Sequence, residues 1–100
     1  MLNSLQISYT HECKRNLRAL ARRYRHIKSD LQPVLDNLVA GRIIGDQVPG
    51  IPYTIYKVRV ANSDSQKGKS GGYRVIYKLA KPNQIDLITI YSKSDQADIT

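Results

Sequence analysis

Apolar and polar residues alternate in two stretches of this chain. Tyr56, Val58 and Val60 fall on one side of the first, Lys57 and Arg59 on the other. That is the period-two pattern of a half-buried strand. In the second, Tyr73, Val75, Tyr77 and Leu79 oppose Arg74 and Lys78. Between them runs SDSQKGKSGG, which has no hydrophobic residue and adds Lys67 and Lys69. A third strand is predicted from Ile85 to Tyr91, after a tight turn at Lys81-Pro82-Asn83. The three strands predict a sheet with one apolar face and one cationic face.

Upstream the period changes. Cys13, Leu17, Leu20, Ala21 and Tyr24 follow helical spacing, with Thr10 as N-cap and an end near His26. The opposite face carries Lys14, Arg15, Arg18, Arg22, Arg23 and Arg25, with Lys28 following. A second helix is predicted from Ser29, with Gln32 as its capping-box partner and Pro33 in its first turn. Its apolar stripe is Leu31, Val34, Leu35, Leu38 and Val39, and Gly41 caps its end. Leu5, Ile7 and Tyr9 alternate as an edge strand, and residues 41–52 read as a loop fastened to the core by Ile43, Ile44 and Val48. The expected fold is α+β, one domain over residues 1–100, with an N-terminal helical hairpin packed on a small, mainly antiparallel sheet.

Charge narrows the partners. Sixteen Lys and Arg against eight Asp and Glu leave +8 in 100 residues, which favours nucleic acid, anionic lipid or an acidic protein. No apolar run reaches membrane-span length and MLNSLQISYT has no signal-peptide pattern, so a cytoplasmic protein is expected. One cysteine, Cys13, reads as a small buried hydrophobe. With His11 and His26 on a solvated helix face, it offers no zinc spacing and no nucleophile–base system. No metal or cofactor is expected. GKSGG lacks the spacing and lysine order of a P-loop and opens a strand rather than a helix.

KRNLRALARRYRHIKSDL at 14–31, KGKSGGYRVIYKL at 67–79 and IYSKSDQADI at 90–99 together resemble the RelE/ParE superfamily of toxin–antitoxin toxins, nearest its HigB-type RelE branch. The resemblance implies a RelE-like microbial RNase fold and a ribosome-dependent mRNA endonuclease that inhibits translation and arrests growth. It implies as partners a cognate acidic antitoxin, the ribosomal A site with its 16S rRNA, mRNA, and operator DNA through the toxin–antitoxin complex. Metal-independent cleavage would use the RNA's 2′-OH as nucleophile, with cations stabilising the phosphorane.

On that resemblance Arg74 is the expected phosphate clamp, Lys57 and Arg59 its basic partners, and Lys93 or Lys57 the general acid or base. Lys67, Lys69 and Ser70 fall in RNA-binding loop positions. Tyr91 is placed to stack on a displaced base, and Arg18 and Arg22 on the basic helix to meet rRNA backbone. Ser94 and Thr100 depart from the family pattern, where another arginine and a terminal aromatic residue are expected. Two other readings stand beside the nuclease: a ParE-like inhibitor of DNA gyrase, and a non-catalytic basic nucleic-acid-binding module.

Overall fold

Thr10 shows how the chain joins its first helix to the sheet. In the computed structural model, which describes residues 5–65 and 71–93, strand β1 (Gln6–Tyr9) leads through Thr10 into helix α1 (His11–Arg23). The Thr10 hydroxyl accepts from the backbone N–H of Cys13 at 3.1 Å, as expected of an N-cap. It also donates to the Ile88 carbonyl at 2.6 Å. One side chain therefore starts the helix and fixes it to a distant strand.

Helix α2 (Ile27–Val39) begins two residues before the predicted Ser29. Its N-cap, His26, makes no side-chain cap bond. The cap comes from outside the segment: Asp64 accepts from His26 N–H at 2.9 Å and meets its Nδ1 at 2.7 Å. Ser29 instead lies inside the helix and donates to the His26 carbonyl, while Gln32 turns forward to Asp36. The expected capping box is not formed, and Pro33 sits within the helix rather than in its first turn. At the other end Gly41 adopts φ 87°, and the N–H groups of Gly41 and Arg42 reach the carbonyls of Leu38 and Asn37. This is a Schellman ending, which a left-handed glycine permits.

The remaining strands are β2 (Asp46–Gln47), β3 (Ile55–Val60), β4 (Tyr73–Lys81) and β5 (Gln84–Ser92). Among the described residues they form one five-stranded sheet in the order β1-β5-β4-β3-β2. β1 runs parallel to β5 and every other pairing is antiparallel. The α+β architecture with a helical pair on a mainly antiparallel sheet therefore stands. The meander gains a short edge strand where a loop was predicted, and Val48 extends that pairing by donating to the Ile55 carbonyl at 2.8 Å.

The core lies between the helices and one face of the sheet. Tyr73, Tyr77, Ile27, Leu38, Ile85 and Ile90 are fully buried there. Tyr77 stacks its ring on Tyr56 and sets its hydroxyl on both the N–H and the C=O of Ile44, which fastens the 41–52 segment through Ile44, while Ile43, expected to help, is exposed. Burial raises the Tyr77 phenol above its ordinary pKa. Cys13 is buried in the same core, and burial pushes its thiol up to about 11. Gly72 shows how close the packing runs: an added Cβ would lie 2.0 Å from the Val60 carbonyl oxygen.

Candidate functional site

Strand register builds a row of polar and aromatic side chains on the other face of the sheet. Arg59 of β3 lies opposite Arg74 of β4, and Arg74 lies opposite Tyr91 of β5. Neighbouring strands are about 4.8 Å apart, so these three positions span roughly 10 Å across the sheet. Lys57 shares the face two residues along β3, opposite Asp46 of β2 and Ile76 of β4. Lys93 follows β5, exposed, with its N–H on the Gly72 carbonyl at 2.8 Å.

The members of this row differ in access to solvent. Lys57 and Arg59 are exposed and Tyr91 is half-buried. Arg74 is only 6% exposed, and its Nη1 donates to the Tyr73 carbonyl at 3.2 Å. The residue expected to be the phosphate clamp thus sits beneath the surface, already engaged with protein. Its charge still raises the local potential. Lys67, Lys69 and Ser70, with Ser94 and Thr100, lie outside the described residues.

Helix α1 continues the strip past β5. A groove of about 200 Å³ between the two elements is lined by Asn16, Ala19, Leu20 and Arg23 on one side and Ile90, Tyr91 and Ser92 on the other. Arg15 and Arg22 are exposed on the same helix but do not line the groove. Arg18 is exposed farther round the helix, on the side away from it. Arg23 is held at the rim, its guanidinium carbon 5.0 Å from the Tyr24 ring centroid and its Nη2 donating to the Tyr24 hydroxyl at 3.2 Å. Asn16 donates to the Thr89 hydroxyl at 2.9 Å. Arg23 is expected only as one cation of the basic helix face, and Asn16 is not expected as a site residue. Asn16's one sequence signal is a neutral amide inside a run of cations.

Elsewhere, His26 is exposed yet not merely solvated, since it holds Asp64. That hydrogen bond is the main reason the Asp64 carboxyl lies below its ordinary pKa. Ser63 donates to Asp30 through both its N–H and its hydroxyl. These contacts pin the chain leaving β3 to the start of α2. Among the described residues no group of three or more His, Cys, Asp or Glu is placed to hold a metal. No described helix is long and apolar enough to cross a membrane.

No family model and no curated protein matches the sequence. Among solved structures the chain is similar to the crystal structure of TrmO from Pseudomonas aeruginosa, with a TM-score of 0.54 and 17% identity over 92% of this chain. The chain spans 37% of TrmO's length. At that identity the shared feature is the fold. That structure is of TrmO, not of a RelE/ParE toxin. The match corrects the expectation of a RelE/ParE superfamily toxin of HigB type. The ribosome-dependent mRNA cleavage, growth arrest and endoribonuclease activity drawn from that resemblance are overturned with it. The physical reason lies in what carried the resemblance. A basic glycine loop and an arginine-rich amphipathic helix arise readily in a chain with sixteen Lys and Arg, and neither fixes a family. The gyrase-inhibitor alternative came from the same resemblance and falls with it.

Proposed function

We propose that the outer face of the sheet and the adjoining flank of α1 bind structured RNA through its phosphates, with tRNA as the first ligand to test. The observation that carries this reading is the strip Lys57, Arg59, Arg74, Tyr91 and Arg23, which gathers cations around one aromatic ring on a single surface. Exposed Lys and Arg neutralise phosphates and release counterions, while an aromatic ring among them offers a face to a base. The likeness to part of TrmO is one of fold and names no ligand. Since the chain spans only 37% of that protein, the proposal is limited to binding and assigns no reaction.

Lys57 and Arg59 contact backbone directly, Arg74 contributes charge from beneath, and Lys93 extends the surface past β5. The antitoxin, ribosome and operator DNA expected earlier are not part of this reading. Fluorescence anisotropy with labelled tRNA over a salt series tests it. Affinity is expected to fall linearly with log salt, and Lys57→Ala/Arg59→Ala is expected to reduce the slope by about one unit per lost contact. Absence of binding at low salt, or a slope untouched by the double variant, would refute it.

A further inference from the structure

We infer that the groove between α1 and β5 is a slot for one unpaired nucleobase, selective for adenine, at the end of the RNA-binding strip. The inference rests on the RNA-binding reading above and adds a base-specific contact to one that otherwise reads only backbone.

The groove's volume of about 200 Å³ suits a single planar ring system and is too small for a peptide helix. Its walls supply the groups such a ring needs. Tyr91, half-buried, offers a ring on which a base stacks. Asn16 is positioned by its bond to Thr89, which uses one of its two amide hydrogens. The second amide hydrogen and the carbonyl Oδ1 have no partner among the described residues. A free amide hydrogen beside a free carbonyl is the pair with which Asn reads adenine N7 and N6. Guanine presents two acceptors at the equivalent edge and leaves Oδ1 without a donor.

One further feature fits a bound nucleotide. Arg23, fixed over Tyr24 at the rim, is placed for the phosphate next to the seated base. The backbone then continues over Tyr91 toward Arg74 and Arg59.

The test compares labelled octaadenylate and octauridylate by anisotropy, with labelled tRNA measured alongside. Wild-type protein is expected to prefer octaadenylate by on the order of tenfold, the size of one good bidentate base contact. Asn16→Asp retains the side-chain shape and can accept from the Thr89 hydroxyl, but has no amide hydrogen for N7, so the ratio should fall close to one. Because a substitution inside α1 can perturb the fold, the wild-type protein is also titrated with AMP and followed by NMR. The Asn16 side-chain amide and the Tyr91 ring should shift together. Equal affinity for the two oligonucleotides while tRNA binds in a salt-dependent way overturns the base slot alone. Failure of all three RNAs to bind overturns both readings.

Discussion

The two faces of the sheet come from the same strands and differ by one step along them. On the helix-covered face, cross-strand neighbours are Val60 with Tyr73 and Ser92, and Val58 with Val75 and Ile90. On the outer face they are Arg59 with Arg74 and Tyr91, and Lys57 with Ile76 and Thr89. A strand cannot slip by one residue without exchanging these sets, so the packing that fixes the core also fixes the cationic surface. The outer face needs no device of its own to hold its register. It inherits one.

That comparison is sharpest where substitutions on opposite faces are predicted to act differently. Tyr77→Ala removes a fully buried ring and its bonds to Ile44, and is expected to cost about 3–5 kcal/mol, read from urea unfolding. Its neighbour Lys78 faces the other way, and Lys78→Ala should stay within about 0.5 kcal/mol by the same measurement. A comparable cost for both would mean that the outer face is packed as tightly as the core.

Gly72→Ala comes next. Its Cβ would collide with the Val60 carbonyl, so β4 must move, at a cost of roughly 1–3 kcal/mol. A melting temperature equal to the wild type would show that β3 and β4 yield more easily there than the spacing implies.

Arg59 and Arg74 form the comparison within one face. Both sit in the same cross-strand row, but Arg59 is exposed and Arg74 is buried and bonded to protein. Arg74→Ala is therefore expected to lose stability, about 1–3 kcal/mol through unmade hydrogen bonds. Arg59→Ala should leave stability nearly unchanged and weaken RNA binding. The reverse assignment in paired unfolding and binding measurements would relocate the surface.

The smallest effect concerns pH. Hydrogen bonds from His26 hold the Asp64 carboxyl below its ordinary value. Its folded-state pKa thus lies below its unfolded value near 3.9, and the stability it adds is present above that value. It is lost as pH falls toward the folded pKa, because the unfolded chain takes up the proton first. Urea midpoints at about pH 5 and pH 3 should drop less for Asp64→Asn than for the wild type. An equal drop would show that this contact does not couple to folding.

Much of this was legible in the chain because it is local. Alternation at 55–60 and 73–79 placed each side chain on its face, and Thr10 and Gly41 marked helix boundaries through short-range bonds. The start of α2 was not, since its cap, Asp64, is thirty-eight positions from His26 and no pattern near Ser29 reports it. β1 reads as an edge strand, but its parallel pairing with β5 depends on a partner far along the chain. β2 is two residues long, too short to show a period. For the site, the sequence placed Lys57, Arg59 and Arg74 on one face of the sheet, and the register adds Tyr91 to it. The sequence could not show that Arg74 is covered while Arg59 is open, because alternation gives direction and not depth. Nor could it show that Asn16 and Arg23 border Tyr91, a neighbourhood made only when α1 lies along β5.

The most direct test of the outer face as the RNA surface is an NMR titration of isotope-labelled protein with tRNA at low salt. Signals from residues 57–59, 89–91 and the 15–23 flank of α1 are predicted to shift or broaden, while those of the exposed side of α2, around Ser29, Pro33 and Asp36, stay in place. Perturbations confined to α2, or no perturbation at all, would contradict the account.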